Sequence, residues 1–408
     1  MIVLNMENPF QFGRELNASE LVDREHELAT VLTTLTTAGK LFVIGPRRYG
    51  KTSILKAAGE KATEAGHIVL HYNVEAYPTI ALLVGKLLAD AAGSLKVGVR
   101  KASDRVKEIF SKLQPELTYK PSENAWSVSL HSTRDRDSEE NVELLVDALN
   151  GLEKLAEGIS SASHRRVSLI LDEFQHLVEL GGREAEAQFR AAIQRHRHVG
   201  YVFAGSKTRM LTEMTTDASR PFYRLGKLMF VGEIPRNDFA QFLALGFAAG
   251  AYSVEGISND NPDAGAIAYL LDKAEQVPYN VQLLAHESWE ELKTRRQRKL
   301  TTQLIDQALY RIIREYDAFY TQLWNGLTSV QQRTLVSVIS EGGTGLQSMK
   351  VVKAVGKSPA TMKSALTALQ SQEILRQQES LGKVLYRFED PLFAIWISAF
   401  IPPLESRH

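Results

Sequence analysis

The feature that most constrains this chain is a spacing, G-x-x-x-x-G-K-T, set inside LFVIGPRRYGKTSIL, residues 41 to 55. The apolar run Leu41 to Ile44 reads as a strand and the residues from about Thr52 read as a helix. Gly45 and Gly50 then lie in the connection between them. Backbone N–H groups can turn onto one concave point only where side chains do not block it. The first turn of the following helix offers free N–H groups and its positive dipole end to the same place. The anion that suits such a cradle is a phosphate. Lys51 would reach the β- and γ-phosphates of a nucleotide, and Thr52 would set its hydroxyl on Mg²⁺. The candidate nucleotide-binding residues are Gly45, Pro46, Arg47, Arg48, Tyr49, Gly50, Lys51, Thr52 and Ser53.

A nucleotide with its metal needs an acidic partner, which normally sits at the end of another parallel strand. VSLILDEFQ, residues 167 to 175, supplies one. Val167 to Leu171 is the continuous apolar run expected of a strand buried on both faces, and it ends in Asp172 and Glu173. Asp172 is suited to hold Mg²⁺ through water, together with Thr52. Glu173 is suited to polarise an attacking water, which points to hydrolysis. An acidic pair at a helix N-terminus is the simpler reading of DE alone. No N-K-x-D stretch for guanine is present, so ATP is the expected nucleotide.

Further apolar runs at 67 to 74, 200 to 205 and 228 to 234 join 40 to 44 and 167 to 171 as five strands separated by helical patterns. That order predicts an α/β fold with a parallel, doubly wound sheet. The segment 67 to 74 falls between the P-loop strand and the Asp-Glu strand in sequence.

Composition narrows the class. The 408 residues suggest two to three domains, and 44% hydrophobic with 24% charged residues is ordinary for a globular protein. No apolar run approaches the ~18 residues of a membrane helix. MIVLNMENPF lacks the basic and apolar regions of a secretion signal. There is no cysteine, so disulfides, thiolate metal sites and cysteine nucleophiles are excluded. A cytoplasmic, membrane-free protein is expected. Lys plus Arg and Asp plus Glu both total 48, so any nucleic-acid contact must come from a local patch.

GPRRYGKTS, LILDEFQ, FAGS (203 to 206), RPFYR (220 to 224) and VDREHEL (22 to 28) together resemble the archaeal-type ATPases of the STAND branch of the AAA+ superfamily. The resemblance implies a P-loop AAA+-type parallel-sheet core over 1–235, a helical lid over 236–305 and a winged helix-turn-helix domain over 306–408. It implies Ser206 as a polar sensor of the γ-phosphate, with a helix N-cap as the plainer alternative. Arg224 sits where the family has an arginine facing a nucleotide, in cis or from a neighbouring copy in a homo-oligomer, and Arg220 is its competitor. Pro278 in VPYNVQLL matches the family's G-x-P lid element, but Gln276 stands where a glycine is expected.

Residues 97 to 113 form an amphipathic stretch, 117 to 131 suggest a hairpin, and STRDRDSEEN (132 to 141) reads as a polar, mobile segment. Residues 236 to 305 are helical in pattern, and the basic run KTRRQRK (293 to 299) suits a solvated face. Three helical stretches follow at 329 to 342, 348 to 356 and 358 to 375, the last opened by Ser358 and Pro359. A strand pair turning at Gly382 completes a winged helix. RFEDPLFAIWI (387 to 397) resembles the Asp-Pro-hydrophobic-Trp segment that follows this domain in the same ATPases.

Between 349 and 388, Lys350, Lys353, Lys357, Lys363, Arg376, Lys383 and Arg387 face only Glu373 and Glu379. Such a patch fits double-stranded DNA, with Lys357 at the entry of the recognition helix, Lys363 one and a half turns on and Lys383 on the wing. The expected function is an ATPase (ATP and water to ADP and phosphate), slow or partner-stimulated, whose nucleotide state positions the winged helix. The alternative is a nucleotide-dependent regulatory scaffold that binds a protein partner and not DNA.

Overall fold

The structure is a computed structural model that describes residues 7–95, 97–130, 138–258, 260–346, 348–355, 358–380 and 383–401, with backbone alone at 138–139, 180–183, 350, 353–354, 379–380 and 383. It divides into two compact units, Glu15–Gly232 and Met1–Arg14 with Glu233–His408.

The first unit contains Lys40–Ile44 (β1), Ile68–Asn73 (β2), a hairpin of Pro115–Lys120 (β3) and Ala125–Leu130 (β4), Val167–Asp172 (β5), Val199–Gly205 (β6) and Lys227–Phe230 (β7). Five of these form one parallel sheet in the order β2-β5-β6-β1-β7. All residues of β5 and β6 are buried, as the unbroken apolar runs require of strands covered on both faces. The strand that separates β1 from β5 in space is β6, and β2 lies at the sheet's edge. The apolar run at 228 to 234 yields a strand only as far as Phe230.

Helices Glu25–Thr36 and Lys51–Glu64 pack together on one face. Helices Ile80–Ser94, Ser138–Ala162 and Gln175–Ile193 cover the other, where Leu83, Leu87, Leu145, Leu152, Leu177 and Phe189 share one core with Phe42, Leu70, Leu169 and Phe203. The amphipathic stretch forms the helix Val99–Ile109, and β3 pairs with β4 antiparallel, Tyr119 opposite Trp126. Part of the polar run expected to be mobile, residues 138 to 141, opens the helix Ser138–Ala162; its preceding residues lie outside the described ones. This is a correction: the helix continues as Val142, Leu145, Leu149, Leu152 and Leu155, a 3.6-period stripe that anchors its polar start.

The second unit is helical. Residues 8 to 12 lie on Arg236–Ala249 and Pro278–Thr294: Phe10 packs on Phe247 and Trp289, and the Asn8 amide donates to Glu290 Oε1 at 3.0 Å. Two short strands, Ser253–Val254 (β8) and Lys299–Leu300 (β9), pair in parallel. A continuous helix, Thr302–Glu315, runs across position 306 and is capped by Thr301. Helices Ser329–Ser340, Met349–Val355 and Pro359–Ser371 precede an antiparallel hairpin of Leu375–Ser380 (β10) and Lys383–Phe388 (β11), the arrangement of a winged helix. Ser358 Oγ accepts from Thr361 N at 3.2 Å, with Pro359 at the first helical position. The proposed turn glycine, Gly382, lies outside the described residues.

The DPLFAIW stretch acts as a clasp. Asp390 caps the helix Pro391–Phe400 through Leu392 N and also accepts from the Tyr320 hydroxyl at 3.0 Å. Trp396 Nε1 donates to Asp317 Oδ1 at 2.8 Å. The closing helix is therefore held to Asp317–Asn325 by two hydrogen bonds inside an aromatic cluster of Tyr320, Trp324, Phe393 and Trp396.

Candidate nucleotide site

The register of the sheet aligns the C-terminal ends of its central strands. Ile44 pairs with Gly205, Leu171 with Phe203, and Asn73 with Asp172. From β1 the chain crosses to the far edge, and from β6 it returns over β1 to β7, so the strand order reverses at β1. The crevice outside strand ends at such a reversal is where open α/β sheets bind ligands.

The loop at this point is built as its glycines demand, each for its own reason. Gly50 is left-handed (φ 86°) and caps the helix Lys51–Glu64. At Gly45 a Cβ would lie 2.4 Å from the Val231 carbonyl oxygen, so this glycine lets β1 end against the segment after β7. Arg48 is also left-handed, at φ 69°. Arg47 and Arg48 are exposed and Tyr49 is buried. From behind, the buried Arg24 of VDREHEL donates to the carbonyls of Gly232 (2.6 Å) and Tyr49 (3.5 Å) while pairing with Glu27. Through these bonds the VDREHEL segment braces the loop.

Lys51 is buried, and its ammonium donates to Gly45 O at 2.8 Å and Pro46 O at 2.9 Å. Thr52 Oγ1 donates to Asp172 Oδ2 at 2.7 Å. Ser53 Oγ accepts from Leu16 N at 3.0 Å, so its hydroxyl serves the segment before the first helix. Asp172 Oδ1 accepts from Glu173 N, which helps hold Glu173 in a left-handed conformation (φ 51°), a strained setting for a non-glycine residue.

Glu173 Oε2 accepts from Gln175 Nε2 (2.5 Å), Ser206 Oγ (2.9 Å) and Ser206 N (3.3 Å). Burial alone would raise its carboxyl, but the bonds from Gln175 and Ser206 and the Lys51 charge outweigh that and hold it below the usual range. Arg47 Nε approaches Ser206 Oγ at 3.5 Å, the long limit of a hydrogen bond. Helix Thr208–Thr216 has Lys207 as its N-cap, so the Ser206 hydroxyl is directed to Glu173 and not to that helix.

A magnesium ion fits the oxygen donors present. Among the described residues there is no group of three or more His, Asp or Glu able to hold a metal alone. An ion shared by Thr52 and Asp172 would draw its other ligands from phosphate and water, the usual habit of Mg²⁺.

The two arginines of RPFYR part company. Arg220 forms a bidentate ion pair with the buried Glu186, its Nε at 3.0 Å from Oε2. Arg190 braces the same loop by donating to the carbonyls of Pro221 and Tyr223. Arg224 is left-handed (φ 52°), exposed, and stacked over Tyr223 at 5.1 Å.

Pro278 belongs to the second unit, at the first position of Pro278–Thr294. Glu275 and Gln276 just before it are both left-handed, φ 47° and 54°. The backbone at 276 thus keeps the conformation a glycine would favour although the side chain is glutamine.

In the basic patch, Arg376 is buried and donates to Phe388 O at 3.1 Å, with Glu389 at 3.6 Å. Arg387 pairs with Glu275 at 3.1 Å. Lys363 is exposed on Pro359–Ser371; Lys357 lies outside the described residues, as do the side chains of Lys350, Lys353 and Lys383. The expectation that Arg376 adds to an open DNA face is corrected, because its guanidinium is buried and bonded within the domain.

No family model matches the chain, and no curated relative does. Its fold is found among solved structures. A Walker-type ATPase of Pyrococcus abyssi superposes with a TM-score of 0.61 at 16% identity, over 96% of this chain and 99% of that one. The ORC2 protein of Aeropyrum pernix, in ADPNP–ADP complexes, gives 0.55 at 14% identity over 97% of both chains. The fold is that of these proteins. Both alignments run through the parallel-sheet core and the helical region after it, since they cover nearly the whole chain.

Gln175 and Arg24 stand inside the motifs LILDEFQ and VDREHEL, yet the sequence alone assigned neither of them a role. The signal for Gln175 was its distance from the acidic pair, two residues past Glu173 on the first turn of a helix.

Proposed function

We propose that this chain is an ATP-binding and ATP-hydrolysing switch of the AAA+ type, in its STAND branch, whose nucleotide state positions the C-terminal winged helix. The observation that carries the reading is the gathering at the ends of β1, β5 and β6 of Thr52, Asp172, Glu173 and Ser206 in one hydrogen-bonded network, with Lys51 bonded to the loop carbonyls and its charge acting on Glu173. Lys51 would exchange the carbonyls of Gly45 and Pro46 for phosphate oxygens, and the N–H groups of residues 47 to 53 would line the phosphate chain. Thr52 and Asp172 would hold Mg²⁺, which when bound neutralises phosphate charge. Glu173 would orient and polarise water, with Ser206 sensing the γ-phosphate beside it. Arg224, exposed beside Tyr223, is the arginine available to a neighbouring copy's nucleotide. Pro278 opens the helix assigned to the lid. Nucleotides in the Aeropyrum pernix structure of like fold support the choice of ligand.

The corresponding core, lid and winged-helix regions are 1–235, 236–305 and 306–408, except that residues 8 to 12 pack on helices of the second unit and not on the core, and the cytoplasm is the compartment that suits a cysteine-free ATPase. No helix among the described residues is long and apolar enough to cross a membrane.

A second reading, a nucleotide-dependent scaffold that binds a protein and not DNA, is favoured by one observation. Two of the seven cations of the basic patch, Arg376 and Arg387, are engaged inside the chain. The deciding experiment uses Glu173→Gln, which should keep ATP affinity and slow hydrolysis by ~10² or more. Captured with ATP and probed for both nucleic acid and protein, it separates the two readings; wild-type turnover by the variant would reduce Glu173 to a structural acid.

A further inference from the structure

Glu173 is held from one side only. Its Oε2 takes all three hydrogen bonds, from Gln175 and Ser206, while Oε1 accepts none among the described residues. Ser206 reaches it from the end of β6, and Gln175 reaches it from the first turn of Gln175–Ile193.

Gln175 occupies an unusual position for an amide. It is fully buried, and its Oε1 has no hydrogen-bond donor among the described residues. The amide cannot be reversed, since that would set two acceptors against each other at Glu173. Leaving a buried acceptor unpaired is unfavourable, and an apolar side chain of the same length would fill the space without that cost. The fold tolerates the orphan oxygen only because Gly205 has no side chain: a Cβ there would lie 2.1 Å from Gln175 Oε1 and 2.5 Å from Leu211 Cδ1. Gly205 is the last residue of β6, immediately before Ser206, so one strand end both makes room for the amide and supplies the other two donors. Packing gains nothing from the glutamine that methionine would not give. What the glutamine adds is the hydrogen bond to the carboxylate.

We infer that Gln175 is a positioning residue for Glu173: its amide, seated against Gly205, fixes the carboxylate so that Oε2 is saturated and Oε1 is left to meet the attacking water. This rests on the reading of Glu173 as the water-polarising group. With Gln175 removed, Ser206 alone must orient a carboxylate on a strained backbone, and the free oxygen loses its fixed direction.

The test is a double-mutant cycle on the full chain, with ATP affinity, steady-state hydrolysis and thermal stability measured for wild type, Gln175→Met, Glu173→Gln and the pair. Gln175→Met should lower kcat about tenfold or more while ATP affinity stays within about threefold, because the group acts on the reacting water and not on binding. In the Glu173→Gln background it should cost nothing further, as expected of a residue that acts only through Glu173. Gln175→Asn, which keeps the amide but withdraws it by one methylene, should lose activity in the same way. Wild-type kcat in Gln175→Met overturns the proposal. So does an equal further loss in the Glu173→Gln background together with lowered stability, which marks a packing residue. If wild type and Glu173→Gln hydrolyse ATP equally, or neither does, the water-polarising reading of Glu173 has failed, and the positioning role falls with it.

Discussion

Arg220 is paired with Glu186 across the loop that carries RPFYR, and Glu186 is almost wholly removed from solvent. The pair commits Arg220 to the fold and leaves Arg224, four residues on, with its charge at the surface. The two arginines should therefore fail differently. Arg220→Ala leaves a buried, unpaired carboxylate and should destabilise the protein by about 3–5 kcal/mol, read as a large fall in the denaturation midpoint. Arg224→Ala should leave stability within about 0.5 kcal/mol, as at other surface positions. If Arg224 completes a neighbour's site, ATPase rate per subunit rises with protein concentration and this variant abolishes the rise. A concentration-independent rate refutes the role in trans.

The Lys51 ammonium satisfies two loop carbonyls, so its loss has a binding effect and a smaller structural one. Lys51→Ala should weaken ATP binding by about ten- to a hundredfold, the value of a charge-assisted bond of ~1.5 to 3 kcal/mol. Titration calorimetry with ATP checks this, and unchanged affinity refutes the phosphate-binding loop.

Much of the first unit was legible because its signals are local. A strand buried on both faces writes itself as an apolar run, which is why Val167–Asp172 and Val199–Gly205 were readable, and the loop spacing fixes where a phosphate would sit. The strand order was not legible: that β6 separates β1 from β5 depends on crossovers that leave no local mark. Long-range pairs were equally hidden. Nothing in RPFYR tells Arg220 from Arg224, since Glu186 lies 34 residues away in sequence. Arg376 reads as one more cation of a basic patch, although it is buried and donates a hydrogen bond to the Phe388 carbonyl, 12 residues away in sequence. Gln276 shows the opposite case, a residue where the resemblance leads one to expect glycine and the sequence has glutamine, yet the backbone is left-handed.

His196 makes stability depend on acid. It is buried, hydrogen-bonded to the Tyr201 hydroxyl at 2.7 Å and to Asn150 Oδ1 at 3.1 Å, and burial pushes it down to about 4 despite the nearby Glu153; Lys40 and Arg195 push the same way as burial. The folded state therefore prefers the neutral ring. Its contribution to stability is fully present above about pH 6.5, the ordinary histidine value, and is lost as pH falls toward 4. Thermal midpoints of wild type should drop across that window more steeply than those of His196→Gln, which has no such proton to take up. Parallel curves for the two proteins refute the assignment.

Glu275 and Arg387 decide how open the winged helix is to a polyanion. The ion pair joins β11 to the left-handed turn before Pro278, and a DNA phosphate would have to compete with Glu275 for the guanidinium. Both side chains keep partial exposure, so the pair itself contributes only about 0–1 kcal/mol to stability. Glu275→Gln should therefore change the denaturation midpoint little. If the wing touches duplex DNA, the same variant should bind it more tightly at low salt, because Arg387 no longer has a carboxylate to leave, and the salt slope should steepen by about one unit. Arg387→Glu should weaken binding and make the slope shallower, and Lys363→Glu on Pro359–Ser371 should act in the same direction without touching Glu275. ATP affinity should be unaltered in all three. In the protein-scaffold reading the outcome is different: Glu275→Gln loosens a contact next to the lid helix and alters basal ATPase or nucleotide release, while no variant shows salt-dependent duplex binding. Fluorescence anisotropy with a labelled duplex across a salt series, run beside a phosphate-release assay, distinguishes the two, and absence of duplex binding in every variant and nucleotide state refutes the DNA reading.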